Sequence, residues 1–384
     1  MKKIALMGSG LLSKEFALRA KELGIESHCF SYDKYDIACK YVDYFHEVDL
    51  LDKEALIIEC GKCSLDGVVA TTELTILPTA EVAKALGLLG NEVSVAKDIT
   101  NKLITRLKVA QAKLIMQPKF WNYVSGDYPS VDTFPVIVKP IAAGGKRGIS
   151  VVYNKQELIE SIKLALPYSK VKGVIIEEYL DGGMEYSVES LSYKGEHYVV
   201  QITQKDSSGP PHCFELGHHQ PASITREMAE RVKDAISETL DLVGITNGTC
   251  HTEIKIINGL IFLIEINARP GGDQITYPLT ELSTGYPYLS GIMWAALGEL
   301  EGHMPLDLKS YHSGIYFVTD QTAYLKPIFM NCENYRWLYK KHEVSSEPTK
   351  IVFNDEENLN YFIYFDKDKK PDISSLLHSL ITKG

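Results

Sequence analysis

Glu265, Asn267 and Arg269 follow one another at spacings of two near the end of the run LIFLIEINARPGGD, Leu260 to Asp273. In an extended chain that spacing puts all three side chains on one face. A further acid, Glu253, lies in the apolar run that precedes Asn258-Gly259, a dipeptide that favours a hairpin turn. A carboxylate buried alone in such a strand costs on the order of several kcal/mol unless a cation pairs it. Two carboxylates and an amide oxygen suit Mg²⁺, which takes oxygen ligands and usually keeps phosphate in its shell. Arg269 adds a fork for phosphate or carboxylate. Register decides whether the set converges. A strict two-residue turn would pair Ile257 with Leu260 and put Glu253 and Glu265 on opposite faces, whereas a three-residue loop would put them on one face. The metal reading therefore predicts the longer loop; the competing reading is a hairpin whose acids face solvent.

Other residues could take part in the same chemistry. Phe134 to Pro140 reads as a short strand ending at Lys139, and Ala142 to Gly148 is a glycine-rich basic loop carrying Lys146 and Arg147. Glycines let backbone N–H groups approach phosphate oxygens, although a plain flexible hairpin has a similar composition. Glu73 stands just beyond the strand Gly67–Ala70, where open α/β sheets collect ligands; an acid at a helix N-terminus reads equally well there. Lys102 sits in an expected helix over 94–113, where a solvated face is the default. His218 and His219 fall in an expected loop, where solvation is more common than catalysis. Cys60-Gly61-Lys62-Cys63 has no second pair of ligands in the nearby sequence and reads as incidental.

The elements that must position these groups are mixed α and β. Lys3–Met7, a helix over 12–23 and a strand over 25–30 form a Rossmann-type opening with Gly8 and Gly10 in the turn. Ser13 stands where the third glycine of a dinucleotide fingerprint belongs, so close helix–sheet packing explains the glycines better than NAD does. A new unit begins near Gln117-Pro118. Strands are expected over 173–180, 185–191 and 198–204, and a helix over Arg226–Val243 with Thr225 as N-cap. Interrupted helix follows over 279–296, with strands at 315–318 and 350–353. At 384 residues the chain is long for one core. Its net charge of −10 and lack of a basic stripe argue against a nucleic-acid surface. The 7 scattered cysteines argue against a disulfide framework and for a reducing cytoplasm. Lys2-Lys3 and the apolar run after them imitate a signal peptide, but Lys14-Glu15 follow closely without a cleavage site, so neither export nor membrane insertion is expected.

Lys102, Lys139-Pro140, Gly144-Gly145-Lys146-Arg147-Gly148, Glu177-Glu178-Tyr179-Leu180, Glu185, Glu253 and Glu265-Ile266-Asn267-Ala268-Arg269 occur in an order that resembles the ATP-grasp superfamily of carboxylate–amine ligases. Glu265 to Gly272, Lys146 to Ile149 and Glu215 to His218 look most like the bacterial L-amino-acid ligases that make dipeptides. The resemblance implies an α/β (α+β grasp) architecture. A Rossmann-like domain (1–95) would precede a first grasp part with the lid subdomain (96–184), a second grasp part with the metal site (185–304) and a C-terminal antiparallel-sheet α/β subdomain (305–384).

The resemblance also implies roles. Lys102 and Lys139 would hold ATP phosphates under the 144–148 loop, with Gly145, Lys146 and Arg147. Glu177, Glu178, Tyr179 and Leu180 would form the strand that reads adenine, with Glu185 on the ribose. Glu253, Glu265 and Asn267 would carry two Mg²⁺ ions, for which Mn²⁺ could substitute. Arg269 would stabilise an acyl phosphate, and His218 or a nearby carboxylate would take the proton of the attacking amine. Glu73, Glu215 and Asp273 would face small-molecule amino acids; an acid at Asp273, where relatives carry a bulky apolar residue, favours a polar or basic substrate. A homodimer fits the resemblance. The competing functions are a ligase acting on a carrier-protein thiol or a pathway-specific amine, an NAD-dependent oxidoreductase, and a non-catalytic ATP-binding regulator.

Overall fold

The computed structural model describes residues 1–142, 147–210, 213–351 and 356–381. Gly144, Gly145 and Lys146 of the glycine-rich loop, and Val352 and Phe353 of the last expected strand, lie outside the described residues.

The apolar runs at Ile4–Met7 and Val68–Ala70 have the composition of strands covered on both faces, and they are buried. They belong to a parallel sheet of β1 (Lys3–Met7), β2 (Glu26–Ser31), β3 (Tyr44–Glu47) and β4 (Gly67–Ala70), in the order β3-β2-β1-β4. The helix Leu11–Glu22 follows β1, as expected. Together with Tyr288–Leu297 it contributes Phe16, Ala17, Tyr288 and Ile292 to a core against Ile4 and Leu6. Gly8 has φ +108, and a Cβ there would lie 2.8 Å from Thr71 Oγ1, so this glycine is needed where β1 meets the end of β4. Ser13, at the position of the missing third glycine, donates to the same Thr71 hydroxyl at 3.0 Å.

The second sheet is antiparallel. Its strands β5 (Phe120–Tyr123), β6 (Val136–Pro140), β7 (Ser150–Val152) and β8 (Val174–Glu178) run in the order β5-β8-β6-β7 and pack on the helix Lys155–Ala165. The third sheet has 8 antiparallel strands: β9 (Met184–Tyr193), β10 (Glu196–Ser207), β11 (Glu215–Gln220), β12 (Gly248–Ile257), β13 (Leu260–Asn267), β14 (His312–Val318), β15 (Leu338–His342) and β16 (Asn360–Asp366). Their order is β13-β12-β9-β10-β11-β14-β16-β15, so the C-terminal strands extend the sheet that carries the hairpin. Helix Arg226–Val243 is capped as expected, with the Thr225 hydroxyl accepting from the Met228 N–H, and its Val232, Ile236, Leu240 and Val243 pack on this sheet.

Three local expectations are corrected. The single helix over 94–113 is instead Val93–Ile99 and Lys102–Lys108, because the Asn101 side chain caps the second segment by accepting from the Ile104 N–H. His218 and His219 lie in β11 rather than a loop, and both are buried. Lys350 and Ile351 are outside any strand, while Leu338–His342 and Asn360–Asp366 supply the strands of that region. Among the described residues, no helix is long and apolar enough to cross a membrane.

Ile236 is fully buried between its helix and the large sheet. Ile236→Ala should lower the unfolding free energy by about 2–5 kcal/mol in urea denaturation. A change under about 0.5 kcal/mol would contradict this packing.

Candidate active site

The hairpin β12–β13 turns through two residues, Asn258 (φ 50) and Gly259 (φ 78), with Ile257 paired to Leu260. The three-residue loop expected for a metal site is therefore absent. The same end is reached by a β-bulge: Ile254 pairs with Leu263, but Glu253 pairs with Glu265. Ile264 is the extra residue, and it moves Glu265 to the face of Glu253. Its carbonyl accepts from Arg106 Nη2 at 2.8 Å. Asn267 at the end of the strand and Arg269 just beyond it line the same cavity, of about 330 Å³, as Glu265.

Cations hold the clustered acids. Lys102 Nζ is 2.6 Å from Glu265 Oε1, and Lys205 Nζ is 2.5 Å from Glu253 Oε1 and 3.0 Å from Glu215 Oε1. Lys139 Nζ and Arg106 Nε bind the two oxygens of Glu177 at 2.7 and 2.6 Å. Burial opposes charge on Lys102, but Glu265 and Glu73 outweigh it and raise the ammonium pKa. Burial likewise opposes ionisation of Glu265, yet Lys102 keeps its pKa below the usual range. Lys205 is held well above the ordinary lysine value by Glu215 and Glu253 despite its burial. Glu73 goes the other way: burial, then repulsion from Glu265, raises its pKa.

The segment after β13 is pinned from β9. Glu189 Oε2 accepts from the Gly271 N–H at 3.1 Å and from Thr276 Oγ1 at 3.3 Å, while its other oxygen pairs with His251. A Cβ on Gly271 would lie 2.7 Å from His251 Nδ1, so only glycine lets the backbone pass there. Glu189 overcomes the desolvation of His251 and raises its pKa to about 9, leaving a cationic imidazole 3.5 Å from Glu253 Oε1. This bend aims Arg269 and Asp273 into the cavity. Arg269 Nη1 donates to the Pro270 carbonyl, while its buried Nε has no hydrogen-bond partner among the described residues.

Most of the expected site residues meet here. Glu73, Lys102, Lys139, Glu177, Glu178, Tyr179, Leu180, Glu185, Glu215, Glu253, Glu265, Asn267, Arg269 and Asp273 all line the cavity. Lys102 is not on a solvated face; as the first residue of its helix it points at Glu265. The Glu177 side chain is a buried anchor for Lys139 and Arg106. Arg147 is exposed and does not line the cavity, and Gly145 and Lys146 lie outside the described residues. His218 is also absent from the wall. It is fully buried and edge-on to Phe317; among the described residues neither ring nitrogen is hydrogen-bonded, and its approach to the site is to Asp273 at 3.9 Å. Sequence reasoning missed Arg106, Glu189, Lys205, His251 and Lys255. The last donates to the Leu180 carbonyl at 2.7 Å and lies 3.6 Å from Glu185. For Glu189 and His251 the one sequence signal is ionisable character at inward strand positions; Arg106 lies in the helix Lys102–Lys108, and it, Lys205 and Lys255 look like ordinary surface cations.

The donor set fits the ligands it implies. Glu253, Glu265 and Asn267 offer the hard oxygens that Mg²⁺ takes, and Lys102, Lys139 and the unsatisfied Arg269 Nε offer charge to phosphate oxygens.

The architecture is that of the ATP-grasp fold. Residues 132–277 match the ATP-grasp domain family, so this segment of the chain is an ATP-grasp domain. The chain is 25% identical over 281 residues to formate-dependent phosphoribosylglycinamide formyltransferase from Prochlorococcus marinus (strain NATL1A), covering 70% of each protein. Among solved structures it resembles the L-amino acid ligase from Bacillus licheniformis, with a TM-score of 0.81 and 21% identity over 100% of this chain and 97% of that one. It also resembles phosphoribosylglycinamide synthetase from Anaerococcus prevotii, with a TM-score of 0.73 and 16% identity over 99% and 98%. At these identities the structural likeness establishes the fold.

Glu177 gives a direct check on the electrostatic frame. Its desolvation is outweighed by Arg106 and Lys139, which lower its pKa from an ordinary 4.5 to about 2. A depressed carboxyl pKa contributes stability above the unfolded value and loses it as pH falls through the folded one. Glu177→Gln should therefore cost roughly 3–5 kcal/mol at neutral pH, because it leaves buried cations unpaired. The difference from the parent should shrink between pH 4.5 and about 2. Urea denaturation across that window tests this, and a pH-independent difference would contradict it.

Proposed function

We propose that the protein is an ATP-dependent ligase that activates an amino-acid carboxylate and joins it to an amine, the amine of a second amino acid being the reading the site supports best. The observation that carries this is the convergence of Glu253, Glu265, Asn267 and Arg269 with Lys102 and Lys139 on one cavity, whose wall also bears Glu73, Glu215 and Asp273.

Bound there, Mg²⁺ would neutralise phosphate charge, and ATP would supply the phosphoryl group that turns a carboxylate into an acyl phosphate. Glu253, Glu265 and Asn267 would hold the metal. Lys102 and Lys139 would bind phosphate oxygens, and their ion pairs with Glu265 and Glu177 hold them in place beforehand. Arg269 would offset charge on the carboxylate and the transferring group; its unsatisfied Nε leaves donor capacity for that purpose. The attacking amine must shed a proton. Glu73 and Asp273 stand on the wall to accept it. His218, enclosed behind Asp273 at 3.9 Å, stands behind the wall and out of reach of that proton.

The sequence relatives raise a second reading, formate transfer to a phosphoribosyl amine. The charge on the wall favours amino acids. A phosphorylated substrate needs a further anion-binding group beyond those assigned to ATP. Here the remaining side chains include Glu73 and Asp273, while Lys205 is committed to Glu215 and Glu253, His251 to Glu189 and Lys255 to the Leu180 carbonyl. Acidic walls suit the ammonium groups of amino acids, and Asp273 supports a polar or basic one.

The test is phosphate release from MgATP with each amino acid singly and in pairs, then with formate and glycinamide ribonucleotide. Pair-dependent release with a dipeptide mass is the expected result; release only with the formate pair would replace this reading by the second. Arg269→Ala should lower turnover by about 10²- to 10³-fold while ATP still binds. Glu265→Gln should raise the Mg²⁺ concentration for half-maximal rate by roughly ten- to a hundredfold. Unchanged rate in the first variant, or an unchanged Mg²⁺ titration in the second, would remove that residue from its role.

A further inference from the structure

A second cluster of ligand-type side chains lies in the N-terminal sheet, and none of its members lines the cavity. His28 on β2, His46 on β3 and Cys63, just after the helix Lys53–Gly61, bring one nitrogen each and a sulfur to within 4.8 Å of one another. His28 Nδ1 is 3.0 Å from His46 Nε2, and Cys63 Sγ is 3.6 Å from the same His46 nitrogen. The sulfur also reaches the Glu59 carbonyl at 3.5 Å.

The outer nitrogens show how the protons are distributed. His28 Nε2 is 2.9 Å from Glu26 Oε1, and His46 Nδ1 is 3.2 Å from Glu59 Oε1. Both carboxylates are also ion-paired, Glu26 with Lys3 Nζ at 2.8 Å and Glu59 with Lys62 Nζ at 2.6 Å. Each can only accept, so each imidazole spends its N–H on its carboxylate. The two inner nitrogens then face each other as lone pairs at 3.0 Å. That contact is repulsive unless a cation sits between them. A proton shared between them would satisfy the nitrogen pair but leave the sulfur outside the arrangement. A metal ion satisfies both lone pairs and the sulfur together. Carboxylates on the outer nitrogens are the arrangement that orients metal-binding histidines and raises their basicity.

We propose that His28, His46 and Cys63 form a binding site for a Zn²⁺-class divalent cation, joining neighbouring strands β2 and β3 to the end of the helix beneath them. Tetrahedral zinc with Zn–N of about 2.0–2.1 Å and Zn–S of about 2.3 Å sets N···N near 3.3 Å and N···S near 3.6 Å. The two spacings to His46 already match to within a few tenths of an ångström, and the third lies within 4.8 Å. A thiolate and two imidazoles select zinc over the Mg²⁺ that the carboxylate site takes. Cys63 would bind as the thiolate, so metal uptake releases a proton to solvent. The fourth position goes to water, because the His46 edge remains 16% exposed.

The experiment is a Co²⁺ titration of the full-length protein in excess Mg²⁺, which fills the oxygen-ligand site. One Co²⁺ should bind with a thiolate charge-transfer band in the near ultraviolet and strong visible bands of four-coordinate cobalt, and Zn²⁺ should bleach both. Cys63→Ser should abolish the charge-transfer band, and His28→Gln should weaken binding roughly tenfold or more. Because these variants risk the fold, the double variant Cys39→Ser/Cys213→Ser serves as a second reading. It removes the cysteines that are not buried and should keep the band. Absence of the band in the parent or in this double variant, or its survival in folded Cys63→Ser, would overturn the site and leave a histidine pair sharing a proton.

Discussion

Glu253 and Glu265 stand directly opposite each other across an antiparallel pair. Like charges so placed repel, and the surrounding structure is arranged to hold them there. Lys102 comes from a short helix started by Asn101, and Lys205 from the middle of the large sheet. Arg106 binds both Glu177 and the carbonyl of the bulge residue, so the small antiparallel sheet and the hairpin share one cation. Glu189 and His251 fix the bend that follows β13. Each of these groups costs desolvation, and each is returned a partner. The result is a rigid arrangement of alternating charge on which MgATP would exchange one set of counter-ions for another. A dry apolar cavity of the same size could not do this, since it offers no compensation for phosphate charge.

The charge pattern also bears on what reacts. Among the described residues Glu73 makes no ion pair, and Asp273 is approached only by His218. Acids without lysine or arginine partners on a binding wall suit cationic groups of a substrate. This is why the amino-acid reading is preferred although sequence relatives act on a phosphoribosyl compound. The same economy of charge recurs in the N-terminal sheet, where Glu26 and Glu59 hold the outer nitrogens of two histidines. The two places use different ligand chemistry, oxygen in one and nitrogen with sulfur in the other, so they need not compete for a metal.

Regular elements with strong periodicity were legible in the sequence. The helix Arg226–Val243 and its Thr225 cap follow from apolar spacing and one side-chain oxygen. The opening parallel strands follow from short, wholly apolar runs. The convergence of Glu265, Asn267 and Arg269 on one wall was legible by simple alternation along the strand. What brings Glu253 to that face was not legible. A bulge leaves no compositional mark at Ile264, so the turn was expected to supply the extra residue. Lys205 was hidden for a related reason, since its environment is set by groups far along the chain, and Lys102 stood out only through the resemblance. His218 shows the converse error: an ionisable residue beside a motif can be buried behind the wall it was expected to line.

The central claim is that this cavity moves a phosphoryl group from ATP to a carboxylate. The most direct measurement uses amino acids labelled with oxygen-18 in the carboxylate, with ATP and Mg²⁺, and reads the mass of the released phosphate. The account predicts that each phosphate formed along with an amide product carries a single oxygen-18 atom from the carboxylate. Amide formation with unlabelled phosphate would contradict it, because the carboxylate would then have been activated without passing through an acyl phosphate.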